Sequence, residues 1–587
     1  LAARAWSAFA VALTALLTFG VARRLVGGPA GRWAMAILAA TPLALLEGQA
    51  ATADGILLAA VTAALACFVA ALLRNGGGGG AGGGGESEGH GGSGALRGPG
   101  GGGDLGIWWP WLGLAAAMAL ALLAKGPVGL AVPGLGIAVT LWLLRQPSAI
   151  AGAAADGPQG AEPTGRARGS LPGSGALAWR AALAGLLGIA LFCAWGIPAD
   201  RASGGELARL GLGRHVLGRA LGAMEGHGGG GPPAGILFYL LVLALGFAPW
   251  SLYLPAAISA VLGGRIGGEQ GRALLIGWTA PVLLLMVVVA TRLPNYILPA
   301  WPALALAVGG TLDAEARGGL AARDRRWLRR GAWLLAGQLA LVASGAVALA
   351  VVVIGGRWLT SATGPMAAGA PGVLGAAGTP GTLGTLGATG APGSLGGTGA
   401  LGTAEMARDL LPAALALAIV ALAAGGAALR EHLACRYRRA AMILLGGVVG
   451  AALVAGAWAA PVLERWKPAP RLAAAVRAAA APGLPIVTYG YGEPSLTFYL
   501  QRGIVNELGD PAALAAWCRE KAPGILILPR SALHDLHFLP ASAKLREIAA
   551  ASGFNVAKGR FLELVALERD GPRSPGPCPH RKPDNPG

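Results

Sequence analysis

The residues of this sequence able to do chemistry stand at the ends of apolar runs. Asp54 interrupts "LLEGQAATADGILLAAV" (45–61), and Lys125 lies in "LLAKGPVGL" (122–130). Arg214, His215 and Arg219 belong to "LGLGRHVLGRA" (210–220), Glu225 and His227 to "MEGHGGGGPP" (224–233), and Arg292 and Tyr296 to "TRLPNYILPAWPALALA" (291–307). A carboxylate inside hydrocarbon is expensive, so Asp54 belongs at a membrane surface or in a protected cavity. There it can act as a base, or orient an acceptor amine or hydroxyl. Lysine and arginine near it suit an anionic head group such as a lipid phosphate. His215 and His227 lack the spacing and partners of a metal site. No metal ligand set is assigned; a divalent cation stays open as a cofactor, and no other is indicated. Each residue also has a plainer reading: Asp54 as a helix N-cap, Lys125 as a snorkelling lysine, and Tyr296 as part of an interfacial aromatic belt.

The elements that must hold these residues are membrane helices. The 587 residues are 54% hydrophobic and 13% charged, with a mean hydropathy of +0.59. Soluble domains carry about 25% charged residues, so the composition indicates a polytopic membrane protein. The net charge of +18 brings no nucleic-acid motif, and no nucleic-acid partner is expected. The five cysteines form no CxxC and no zinc spacing. Apolar stretches near the length of a span fall at 5–22, 33–52, 55–73, 107–124, 126–144, 181–197, 235–262, 273–290, 295–310, 331–354, 410–428 and 440–462. With the first span running from outside to inside, the inner loops hold 21 arginines and the outer segments before residue 463 hold nine basic residues. That bias fixes the orientation. It puts Asp54, Lys125, the loop 198–234 and Arg292 on one outer face.

The expected organisation has a helical core over 1–354, with Gly-rich inner loops at 75–106 and 146–176 read as flexible insertions. A low-complexity outer loop follows at 355–408, then the last two membrane helices at 409–462. Residues 463–570 alternate strand and helix patterns. Strands are expected at 484–490, 524–529 and 561–569, and amphipathic helices at 511–521 and 541–553. They read as a small α/β domain on the outer surface, ahead of a disordered tail at 571–587.

Several motifs occur in a familiar order: "AARAWSAFAVALTALLTFGVARRL" (2–25), "TPLALLEGQAATADGILL" (41–58), "AKGPVGLAVP" (124–133), "GRHVLGRA" (213–220), "GHGGGGPPAGILFYLLVLALGFAPWSLYLP" (226–255) and "TRLPNYILPAWPALALA". The set resembles the bacterial 4-amino-4-deoxy-L-arabinose transferases of lipid A, within the protein O-mannosyltransferase-like GT-C glycosyltransferases. "VTYGYGEPSLTFYLQRGIV" (487–505) is similar to their periplasmic domain. The resemblance implies a GT-C-like helical membrane protein with a C-terminal periplasmic α/β domain, in the bacterial inner membrane. It implies transfer of a sugar from a polyprenyl-phosphate donor to lipid A, another envelope glycan or a protein, with membrane lipids around it. Carried across, Asp54 aligns with the second acidic residue of the outer active site and Lys125 with the Lys-Gly-Pro lysine. Arg219 stands where a basic residue meets the donor phosphate, and Arg292 and Tyr296 fall in a segment lining the lipid-facing cavity. In the family, a first helix and an outer loop with an Asp-Glu pair and a Lys-Pro-Pro motif precede the segment that begins this chain. The competing expectations are therefore a truncated or non-catalytic relative acting as an envelope scaffold, or a transporter. The halves show no repeat of the transporter kind.

The orientation is directly measurable. Alkaline phosphatase fused after Lys467 is expected to be active, and the same enzyme fused after Arg330 inactive; the reverse pattern would invert the assignment.

Overall fold

The computed structural model describes residues 2–76, 105–146, 174–218, 221–222, 231–362, 397–480, 483–501, 505–520, 522–533, 545–556 and 559–569. The Gly-rich stretches of 75–106 and 146–176, the middle of 355–408 and the tail 571–587 lie wholly or mostly outside these residues. The chain divides into two compact units, Leu1–Ala343 with Val420–Ala452, and Ser344–Ile419 with Leu453–Gly587.

In chain order, the first seven helices are α1 (Ala2–Leu25), α2 (Gly28–Ala39), α3 (Pro42–Gln49), α4 (Asp54–Gly76), α5 (Leu105–Lys125), α6 (Val128–Arg145) and α7 (Ser174–Ala202). A π-helical segment, Leu207–Gly218, follows. Next come α8 (Gly231–Gly246), α9 (Leu254–Leu262), α10 (Gly268–Val288), a 3₁₀ segment Pro294–Ala300, α11 (Trp301–Ala316), α12 (Ala322–Ala362), α13 (Gly397–Leu433) and α14 (Tyr437–Val454). Among the described residues, ten helices are long and apolar enough to cross a membrane, or up to twelve if two bent pairs each count as one span. Those pairs are where the straight-span reading fails. Residues 33–52 form α2 and α3, bent by 59° at Pro42, and residues 235–262 form α8 and a second leg, bent by 110° at Pro249. Proline lacks the N–H that would continue the ladder, so an apolar run long enough to span is cut in two.

The first unit buries a cluster of large aromatic side chains around α11, whose residues Trp301 to Ala314 are all buried. Trp301 meets Phe247 edge-on with ring centroids 5.5 Å apart, and Trp250, Trp278 and Tyr253 are likewise fully buried. Buried hydroxyls in the helices are satisfied within their own turn. Thr14, Thr18, Thr62, Thr140 and Thr311 each donate to the carbonyl four residues back, at 2.7–2.8 Å. In lipid, such internal satisfaction is obligatory.

Close helix approach depends on small residues, as expected where lipid offers no hydrophobic drive to association. A Cβ on Gly277 of α10 would lie 2.8 Å from the Gly136 carbonyl oxygen and 2.9 Å from the Thr140 nitrogen of α6. A Cβ on Gly309 of α11 would lie 2.8 Å from both the Ala30 carbonyl oxygen and the Ala34 nitrogen of α2. These obstacles are backbone atoms and cannot swing away.

In the second unit, α15 (Ala460–Trp466) leads into α16 (Pro468–Ala479), followed by β1 (Ile486–Tyr489), α17 (Pro494–Leu500), β2 (Asn506–Leu508), α18 (Pro511–Arg519), β3 (Gly524–Pro529), β4 (Leu545–Asn555) and β5 (Arg560–Arg569). The sheet order is β2-β1-β3-β5-β4. β1 runs parallel to β2 and β3, and β5 is antiparallel to β3 and β4. Residues 545–553, read from the sequence as part of a helix, are instead in β4. The Ala-rich segment favours a helix locally, but a long ladder with β5 overrides that preference. Gly553 clears the incoming chain: a Cβ there would meet the Pro468 nitrogen at 2.7 Å. Asp510 caps α18 by accepting from the Ala513 N–H at 2.7 Å. Burial and the adjacent Glu493 carboxylate push the Tyr491 hydroxyl above its usual range, and that hydroxyl donates to Glu493 at 3.1 Å.

Gly277→Leu is expected to force α6 and α10 apart at a cost of about 2 kcal/mol, the scale of overpacking. Thermal unfolding in detergent should show a clear drop for Gly277→Leu and none for Gly134→Leu, a position with open space around it.

Candidate active site

Asp54 is the first residue of α4, just past the turn that ends α3. Both carboxylate oxygens are taken by side chains distant in sequence. Lys125 Nζ donates to Oδ1, and Asn295 Nδ2 donates to Oδ2 at 2.8 Å. The N-cap reading therefore gives way: Asp54 lies inside the first turn, and its carboxylate holds side chains. The Gly55 N–H instead faces Glu47 of α3.

Lys125 ends α5, where Gly126 turns the chain at φ +60° and Pro127 leads into α6. That left-handed turn is cheap only for glycine. It leaves the lysine at a helix end beside Tyr296, whose ring centroid is 4.5 Å from Nζ. Asn295 and Tyr296 both come from the 3₁₀ segment between α10 and α11. The ammonium is thus bounded by a carboxylate and an aromatic face, a pairing favoured where water is scarce. The two side chains keep partial solvent access, 25% for Lys125 and 13% for Asp54.

A second carboxylate belongs to this cluster. Glu47 is 6% exposed, accepts from the Thr52 hydroxyl, and interacts electrostatically with Asp54 and Lys125. Neither Glu47 nor Asn295 was among the sequence candidates. Glu47 stands seven residues before Asp54, as an acid inside an apolar run, and that was the available signal. Asn295, adjacent to Tyr296 in "LPNY", carried none.

The remaining candidates divide. Arg292 is 7% exposed and donates from Nη2 to the Gly231 carbonyl at the start of α8. A Cβ on Gly235 would lie 3.0 Å from its Nε, so α8 packs directly on the guanidinium. Arg214 and His215 are carried by the π-helical segment, with their side chains outside the described residues. Arg219 and His227 lie outside the described residues altogether. Among the described residues, no three His, Cys, Asp or Glu side chains converge as a metal set would require.

Beside the pair lies a cavity of about 810 Å³. Leu57, Leu122, Phe192, Trp195, Leu285 and Met286 are among its apolar walls, and Ala208, Leu212 and Val216 of the π-helical segment close one side. Lys125, Tyr296, Asp200 and Arg201 bring polar groups to it. A mostly apolar cavity with a lysine in its lining suits an amphiphile with an anionic head.

No protein-family model matches the chain. A stretch of 73 residues, 12% of the chain, is 36% identical to the undecaprenyl phosphate-alpha-4-amino-4-deoxy-L-arabinose arabinosyl transferase of Edwardsiella ictaluri (strain 93-146). The match spans 13% of that relative's length. Two crystal structures of ArnT from Cupriavidus metallidurans, one bound to undecaprenyl phosphate and one in the apo state, superpose with a TM-score of 0.58 at 18% identity. They cover 95% of this chain and 83% of theirs. The chain therefore has the ArnT-like GT-C fold, a polytopic helical membrane protein with a small C-terminal α/β domain.

Lys125→Met should leave the Asp54 carboxylate held by Asn295 but without its counter-charge among the described residues, at a cost of about 1–3 kcal/mol for a partly buried pair. The double variant Lys125→Met/Asp54→Asn should recover part of that loss. A denaturation series on the two singles and the double measures the coupling, and strict additivity would mean the pair does not interact.

Proposed function

We propose that this protein is a membrane glycosyltransferase, moving a pentose or hexose from a polyprenyl-phosphate donor to lipid A, another envelope glycan or a protein. The reaction takes place at the outer face of the bacterial inner membrane, with the C-terminal domain on the same side. The observation that carries this reading is Lys125, held between Asp54 and Tyr296 where an apolar cavity of about 810 Å³ reaches it. The likeness to a protein crystallised with undecaprenyl phosphate supports the donor class.

In this reading the isoprenoid lies in the cavity and its phosphate meets Lys125. The acceptor oxygen or nitrogen attacks the anomeric carbon, and the bond from that carbon to the phosphate oxygen breaks with its electron pair passing to the phosphate. The acceptor's proton goes to Asp54, as general base. Lys125 exchanges Asp54 for the phosphate as the donor enters. This frees Oδ1 to take the proton, while the cation stabilises the leaving group. Asn295 keeps Oδ2 in place throughout. Arg214, His215, Arg219 and His227 are assigned, on the sequence motifs alone, to further contacts with the phosphate; Tyr296 lines the cavity, and Arg292 steadies the start of α8 through the Gly231 carbonyl.

The test uses the full chain in proteoliposomes with undecaprenyl-phosphate-linked 4-amino-4-deoxy-L-arabinose and lipid A. Asp54→Asn is expected to slow transfer by about 10²–10⁴-fold with donor binding retained. Lys125→Met should weaken donor binding, and Lys125→Arg should restore part of it. Full activity in Asp54→Asn would sink the assignment.

A further inference from the structure

An arginine-rich face far in sequence from the residues above has no part in that chemistry. α12 opens with "ARDRRWLRR" (322–330), placing Arg323, Arg325, Arg326, Arg329 and Arg330 on exposed positions of its first turns. The turn from α13 into α14 adds Arg430, Arg436, Arg438 and Arg439, all exposed. Buried contacts lock the two segments together. His432 donates from Nε2 to the Leu328 carbonyl at 2.8 Å, its ring lies 4.8 Å from that of Tyr437, and the Tyr253 hydroxyl donates to the Tyr437 carbonyl at 3.3 Å. Glu315 senses both Arg325 and Arg438, and Tyr437 senses Arg329. Segments a hundred residues apart thus share one face.

The charge on this face is poorly compensated. A helix start favours anions, and arginines three or four residues apart repel each other. The one acid in the first turn of α12, Asp324, is fully buried and turned inward. It accepts from Ser259 at 2.6 Å and from the Ala321 N–H at 3.0 Å, and pairs with Arg265 at 3.2 Å. Glu431 pairs with Arg436 at 3.4 Å. Arg323, Arg325, Arg326, Arg329, Arg438 and Arg439 form no ion pair among the described residues. The face also has an address in the bilayer. Trp327 lies under Arg330 at 5.1 Å, and Trp333, three turns into the same helix, is 80% exposed. Exposed tryptophans mark the boundary between head groups and acyl chains, which sets the arginines at phosphate depth.

We propose that this face binds an acidic phospholipid whose head group carries two phosphates, one taken by the arginines of α12 and the other by those of the α13–α14 turn. Guanidinium forks match phosphate oxygens two at a time, and two arginine sets fixed on one scaffold select a bridging pair of phosphates over single ones. The proposal does not depend on the glycosyltransferase reading.

Native mass spectrometry of the full chain in detergent tests it, with tetraoleoyl cardiolipin against dioleoyl phosphatidylglycerol at matched charge. Cardiolipin is expected to bind the unmodified chain more tightly. Arg325→Gln/Arg329→Gln/Arg438→Gln should lose at least about tenfold in cardiolipin affinity, while Arg23→Gln/Arg24→Gln/Arg145→Gln, the same charge change elsewhere, should stay near the unmodified value. A triple Arg→Lys variant at 325, 329 and 438 keeps charge and fold, and should still lose about threefold for want of the fork. Equal losses in the two glutamine triples, equal binding of the two lipids, or undiminished binding in the lysine triple would each overturn the proposal.

Discussion

A carboxylate and an ammonium set among apolar helices must satisfy each other, and the first unit is arranged around that requirement. Asp54 and Lys125 are 71 residues apart in sequence, and Asn295 is a further 170 along. Each sits at the end of an element: the start of α4, the end of α5 and the 3₁₀ segment ahead of α11. Helix ends leave backbone polar groups unsatisfied, so they gather where polar side chains and some water are available. A mid-helix aspartate would have needed a buried partner at far greater cost. The site lies at helix ends because polar groups can be accommodated there.

Holding three ends in register requires that the helices do not slide. Contacts made through Gly277 and Gly309 bring backbones together closely enough that a single methyl would strike main-chain atoms. α11, buried along nearly its whole length, acts as the post against which α2, α10 and the 3₁₀ segment are set. The segment bearing Asn295 and Tyr296 runs directly into this post at Trp301. Packing of large buried aromatics, remote from the chemistry, therefore fixes the position of the amide that holds Asp54.

Much of this was legible in the sequence, and the failures have physical causes. Asp54, Lys125 and Tyr296 stood out because charge or an aromatic hydroxyl beside an apolar run is costly and visible, and the structure brings all three together. Asn295 is uncharged and its role comes from a partner 241 residues away, which no local pattern encodes. Glu47 was visible as an acid, but its place beside Asp54 depends on the bend between α2 and α3 and on the short turn before α4. Hydropathy alone reads a long apolar run as one straight crossing, so the bends at Pro42 and Pro249 were missed. In the second unit, the β4 segment is Ala-rich and helix-prone. Its strand identity is imposed by β5, a contact that exists only once the hairpin closes.

The arrangement of Lys125 also bears on how one side chain could serve two anions in turn. Tyr296 contributes an attraction that does not depend on which anion faces the lysine, because the ring quadrupole acts on the ammonium alone. Asp54, by contrast, keeps Asn295 if the lysine turns away, so its carboxylate is not stranded. An exchange of carboxylate for phosphate at Lys125 then leaves every charged group with at least one partner at each stage. Were Asn295 or Tyr296 missing, one end state would hold a charge with nothing to offset its desolvation. In the proposed exchange, the neutral neighbours Asn295 and Tyr296 lower the cost of separating the pair, so that a ligand's own affinity for the lysine can shift the balance.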